Sequence, residues 1–143
     1  VKKTISARDL QIDLQDGSEA ALFKWLVASF LMGKRIQGAI AAKAYQIIVE
    51  QHERDTPQKL TQCSHRQLVV MLGQAHYVRY DETTATRLLA LASKLIKDYG
   101  GKVSNIVEAS ADRQAFETRL SEFEGIGPKT IEIFMREAGA VLY

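Results

Sequence analysis

From residue 18 onward, apolar side chains recur every three or four positions, and that spacing predicts helices almost to the end of the chain. Ser18 and Glu19 open the first one. The serine suits an N-cap and the glutamate complements the helix dipole. Leu22, Phe23, Leu26, Val27, Phe30 and Leu31 form its stripe, which Trp25 and Ala28 widen. A central, largely buried helix is therefore expected, with Trp25 in the core rather than on a base-stacking surface. Gly33, Lys34 and Arg35 break the run, and Ile36, Ile40, Ala44, Ile47 and Ile48 carry a second helix. Thr56-Pro57 reads as a helix start, and a further helix from about Ser64 turns Leu68, Met71 and Leu72 inward. Asp81 is expected to cap the longest helix, which buries Ala85, Leu88, Ala92, Leu95, Ile96 and Tyr99 and stops at Gly100-Gly101. The last two helices run from Ala111 to Phe123 and from Pro128 to about Ala138.

Residues 1–17 follow a different rhythm. Leu10, Ile12 and Leu14 alternate with polar neighbours, but no second strand exists to pair with them, so an extended arm lying on the helices is expected. The sum is an all-α protein: an N-terminal arm over residues 1–17, then one helical domain over 18–143, an irregular bundle of six to seven short helices.

Composition narrows the function classes. At 143 residues, with 46% hydrophobic and 25% charged side chains, the chain fits one ordinary core, and a folded rather than disordered chain is expected. The longest apolar stretch, Ala20 to Met32, is interrupted by Lys24, is too short to span a bilayer, and sits too far along the chain for a secretory signal. An intracellular, cytoplasmic protein with no membrane partner is the expectation. The net charge of +2 gives no strong overall field, so affinity for a polyanion has to come from a local site. Cys63 is the only cysteine, which excludes intramolecular disulfides, cysteine-rich zinc sites and a four-cysteine iron–sulfur cluster. It reads as a small structural residue in a reducing compartment. His52, His65 and His76 fall at no metal-ligand spacing.

The most specific stretch is Leu120-Ser121-Glu122-Phe123-Glu124-Gly125-Ile126-Gly127-Pro128-Lys129-Thr130. Gly125 and Gly127 permit backbone conformations closed to other residues and leave no side chain in the way of an approaching phosphate. Ile126 plugs the groove between two helices, and Pro128 starts the second without wasting an amide proton. The amides of Gly125, Gly127, Lys129 and Thr130 are then free at a helix N-terminus, an arrangement that binds phosphate, and Lys129 adds a full positive charge.

This stretch resembles the helix-hairpin-helix motif of DNA repair and replication proteins. The resemblance implies that the hairpin amides hold a phosphate of double-stranded DNA, helped by a monovalent cation on the carbonyls of Ser121, Phe123 and Ile126. No other cofactor is implied. About 120 residues, Ala20 to Gly139, are similar in their order of helices to the endonuclease III and 8-oxoguanine glycosylase superfamily, whose members flip a damaged base and cleave its glycosidic bond. In bifunctional members a lysine two residues after the second hairpin glycine forms a Schiff base with the sugar, and Lys129 stands there. Glu124 departs from the proline usual in the glycosylase branch and brings a negative charge towards the expected phosphate. Met32-Gly33-Lys34-Arg35 replaces the family's base-probing glutamine loop, with Lys34 and Arg35 suited to a phosphate or groove contact. The family's essential aspartate lies beyond the second hairpin helix, and the residues after Lys129 contain only the acids Glu132 and Glu137.

Three readings follow. The first is a DNA-binding protein of glycosylase-like, base-excision-repair type, associated with the nucleoid when bound, with catalysis lost or its missing acid supplied by a protein partner. The second is an active glycosylase or abasic-site lyase using Lys129. The third is a helical protein-interaction domain in which Leu10, Ile12 and Leu14 dock a partner.

Overall fold

The computed structural model describes residues 4–143 and is all-α within them. Eight helices form an irregular bundle: α1 (Glu19–Met32), α2 (Gly38–Tyr45), α3 (Pro57–Thr61), α4 (His65–Gln74), α5 (Asp81–Tyr99), α6 (Val103–Glu108), α7 (Arg113–Ser121) and α8 (Pro128–Leu142). A π-helical segment, Gln46–Gln51, prolongs α2. No described helix is long and apolar enough to cross a membrane.

α1 is the axis of the molecule. Every residue from Ala21 to Leu31 is buried except Lys24, and α2, α6 and α8 pack around it. Trp25 is wholly buried and its Nε1 donates to the Phe134 carbonyl at 3.1 Å, which ties α1 to α8 and satisfies the indole. The local start signals act as their chemistry dictates. Ser18 Oγ accepts from the Ala21 amide at 3.2 Å and Thr56 Oγ1 from the Lys59 amide at 3.1 Å. Ser64 and Gln67 form a reciprocal capping box.

Four boundaries differ from the sequence expectation. Asp81 does not cap α5: Tyr80 holds the cap position in a left-handed conformation, φ +67°, and Asp81 lies in the first turn. Its carboxylate accepts from the Glu82 amide at 2.7 Å, so it still opposes the helix dipole but reaches no further into the turn. α6 was not anticipated, which brings the count to eight. Six residues are too few to show a period, and its cap comes from afar: the Glu19 carboxylate accepts from the amides of Val103 and Ser104. α7 begins at Arg113, capped by Asp112, and ends at Ser121 rather than running from Ala111 to Phe123. α8 continues to Leu142, beyond Ala138.

The N-terminal arm lies on the bundle, as expected, but is not extended throughout, because Arg8–Leu10 form a 3-10 turn. Ala7, Leu10, Ile12 and Leu14 are buried in the same core as the helices, while Gln11, Asp13 and Gln15 face solvent. Glu137 of α8 anchors the arm by accepting from the Ala7 amide at 2.9 Å.

Candidate nucleic-acid interface

α7 and α8 are joined by the six residues 122–127. Leu120, Phe123 and Ile126 are buried, and Ile126 inserts into the core, as its apolar position in a polar turn implies. The Ile126 amide donates to the Phe123 carbonyl at 3.1 Å and closes a reverse turn whose third residue, Gly125, has φ +88°. That conformation favours glycine. Space demands it too: a β-carbon at Gly125 would stand 2.7 Å from Arg87 Cδ and 3.0 Å from Phe30 Cε2.

Gly127 corrects the sequence expectation. Its φ of −106° and ψ of −171° are extended and open to any residue, so the backbone does not require glycine there. A β-carbon at this position would also meet nothing within 4 Å. The fold leaves Gly127 free to be something else, and only an approaching ligand would need the vacant space.

Pro128 begins α8, and the first bond of that helix runs from the Ile131 amide to the Gly127 carbonyl. Among the described residues, the amides of Gly125, Gly127, Lys129 and Thr130 donate to no protein acceptor. They are the unpaired donors that every helix N-terminus and tight turn leaves behind. The Thr130 side chain is buried, and its hydroxyl occupies the space above Gly33, where a β-carbon would lie 2.1 Å from Oγ1. Thr130 therefore offers a ligand its amide rather than its side chain. The same contact brings the break after α1 against the start of α8.

That juxtaposition makes a groove of about 500 Å³, lined by Gly33, Lys34, Arg87 and residues 121–130. Lys34, expected from the sequence, lines it with its Nζ 5.7 Å from the centre of the Phe30 ring. Burial, and then the nearby Arg87 guanidinium, push the Lys34 pKa below the usual lysine range. Arg35 is exposed and is not part of the lining. Lys129 lines the groove from the first turn of α8, is exposed, and makes no ion pair or hydrogen bond within the described residues.

Arg87 was not anticipated. It stands on α5, distant in sequence from both the hairpin and the Lys34 loop, where it reads as an ordinary solvated residue. In the fold its stem crosses Gly125 and its Nε lies 3.8 Å from Glu124 Oε1. Glu124, the acid expected to oppose a phosphate, thus faces an arginine.

The carbonyls suggested for a monovalent cation are partly engaged. Phe123 O accepts from the Ile126 amide and keeps one lone pair, while the Ser121 and Ile126 carbonyls accept no bond within the described residues. Such neutral oxygens fit a singly charged cation. The two acids after Lys129 are elsewhere: Glu132 lines a separate groove with Arg113 and Glu117, and Glu137 is held by the arm. His65 Nε2 lies 3.0 Å from the Glu82 carbonyl oxygen, and no three acids, histidines or cysteines gather as a metal site among the described residues.

No known protein family, curated protein or solved structure matches the chain. The functional reading rests on the groove itself.

Proposed function

We propose that this protein grips the phosphate backbone of double-stranded DNA in the groove formed by the α7–α8 hairpin, the Lys34 loop and Arg87. The observation that carries the reading is a coincidence of three features in one place. Four amides without protein acceptors belong to residues that line the groove, Lys34, Arg87 and Lys129 line it too, and Gly127 leaves room that the fold does not use. Amides at a helix N-terminus together with flanking cations are the chemistry that holds a phosphate. The hairpin's likeness to the helix-hairpin-helix motif of glycosylase-type proteins agrees with this reading, and a monovalent cation on the turn carbonyls would strengthen it. Contacts of this kind position a duplex without reading bases. Two duplexes of unrelated sequence should therefore bind with affinities within about threefold of each other, and Lys129→Glu should weaken both. Strong preference for one sequence, or indifference to Lys129→Glu, would count against the proposal.

The lyase reading retains one supporting observation: Lys129 lines the groove without an ion-pair partner among the described residues. Its amine would add to the aldehyde carbon of an abasic sugar and expel water to form an imine, which borohydride reduces to a stable amine. A covalent adduct on abasic-site DNA that disappears in Lys129→Ala would establish it. Leu10, Ile12 and Leu14 are buried in the protein's own core, so they are not the docking surface that a protein-interaction reading would use.

A further inference from the structure

We infer that Glu124 is a built-in competitor for the phosphate: it holds Arg87 in the free protein and releases it when a DNA phosphate enters the groove. The inference rests on the proposed DNA-binding reading. Three observations carry it. Arg87 Nε is buried and has no hydrogen-bond partner. Its nearest acid oxygen, Glu124 Oε1, lies at 3.8 Å, inside ion-pair range but beyond a hydrogen bond. And Arg87 is the more enclosed partner, its side chain 32% exposed with its stem packed over Gly125, whereas the Glu124 side chain is 68% exposed and free to swing into solvent. The guanidinium is thus half-enclosed with its Nε unsatisfied, and the carboxylate beside it is exposed and weakly engaged.

A phosphate offers Arg87 two oxygens in the planar fork geometry that guanidinium prefers. The other charged groups at the groove are Lys34, Lys129 and Glu122, and of these Lys34 already feels the Arg87 charge. While Glu124 is paired with Arg87, the groove presents two cations without an ion-pair partner among the described residues, Lys34 and Lys129. When the pair opens it presents three, at the cost of setting a carboxylate free beside an anionic ligand. Glu124 therefore keeps resting affinity low and makes the third cation available only to a ligand that displaces it.

The test is a mutant cycle read by fluorescence anisotropy with a short duplex at several salt concentrations. Glu124→Gln removes the competing charge and keeps the side-chain shape. Arg87→Met removes the guanidinium and keeps the packed stem, with thermal melts checking that each variant folds. Glu124→Gln should bind roughly fivefold tighter at low salt. Its plot of log affinity against log salt should keep close to the wild-type slope, because Arg87 meets the phosphate in both proteins, whereas Arg87→Met should flatten it by about 0.9. In the Arg87→Met background the same substitution should give a clearly smaller gain, since only the direct repulsion of the phosphate is then relieved. An equal or larger gain there would overturn the inference, because Glu124 would then act by direct repulsion alone. No gain in the wild-type background would overturn it as well. If neither wild type nor any variant binds duplex DNA, the binding reading itself falls, and the inference with it.

Discussion

Gly125 and Gly127 sit two residues apart in one turn, yet the structure assigns them different tasks, and substituting each separates folding from binding. At Gly125 an added methyl meets two penalties. A left-handed backbone costs an L-residue about 1–2 kcal/mol, and φ there is +88°. The methyl would also press on Arg87 Cδ at 2.7 Å and Phe30 Cε2 at 3.0 Å. Phe30 is wholly buried and cannot retreat, whereas the arginine stem can shift, so overpacking adds about 1–2 kcal/mol, in the lower part of the usual range. Gly125→Ala should therefore lose about 2–4 kcal/mol, a fall in Tm on the order of 10 °C for a chain of this size. At Gly127 the backbone is extended and a β-carbon meets nothing. Gly127→Val should lose only about 1 kcal/mol, the disadvantage of valine against glycine at a helix N-cap. It should lose DNA affinity by roughly tenfold or more, because the side chain keeps a phosphate from charge-assisted bonds to the amides. Thermal melts by far-UV circular dichroism and anisotropy binding to a fluorescent duplex measure both. The reasoning is refuted if Gly127→Val melts as low as Gly125→Ala, since the fold would then need that glycine. Normal DNA binding by a folded Gly127→Val would refute it equally.

Three further outcomes follow from the packing. Tyr77 is buried with its hydroxyl donating to the Leu31 carbonyl at 3.0 Å, and burial pushes its pKa up to about 12. Because the folded pKa lies above the unfolded value near 10, its contribution is complete below about pH 10 and is lost as pH rises through about 12. Urea midpoints at pH 8 and pH 11 should differ less in Tyr77→Phe than in wild type, and that variant should be about 1 kcal/mol less stable at pH 8. Glu19→Ala removes the acceptor for the Val103 and Ser104 amides and should cost about 1–2 kcal/mol, with faster hydrogen exchange at those two amides. Gly33→Ala places a methyl 2.1 Å from Thr130 Oγ1 and should lower both Tm and DNA affinity by displacing the start of α8; adding Thr130→Ala should recover part of each. Unchanged affinity in Gly33→Ala would show that the α1–α8 contact does not position the hairpin.

What the sequence made legible was local. Ser18, Thr56-Pro57, Ser64 and Gly100-Gly101 announce helix ends because cap chemistry acts over three or four residues. The stripe through Trp25 announced the central helix because a helix buried on most sides must be apolar on most sides. α6 escaped because its N-terminus is held by Glu19, more than eighty residues earlier. Arg87 escaped for the same reason: its place in the groove depends on α5 crossing the hairpin, a packing fact that no spacing along the chain encodes. The hairpin glycines illustrate both cases. Two glycines flanking an isoleucine mark a turn, but only the three-dimensional surroundings separate the one the fold requires from the one it does not.

The central claim is that a localised cationic groove, rather than net charge, holds a phosphate backbone, and the salt dependence of duplex binding tests it most directly. With two or three cations engaged, log affinity should fall linearly against log salt with a slope of about −2 to −3, and Lys129→Ala should flatten that slope by about 0.9. Duplex binding insensitive to salt, or a slope unchanged by Lys129→Ala, would contradict the account.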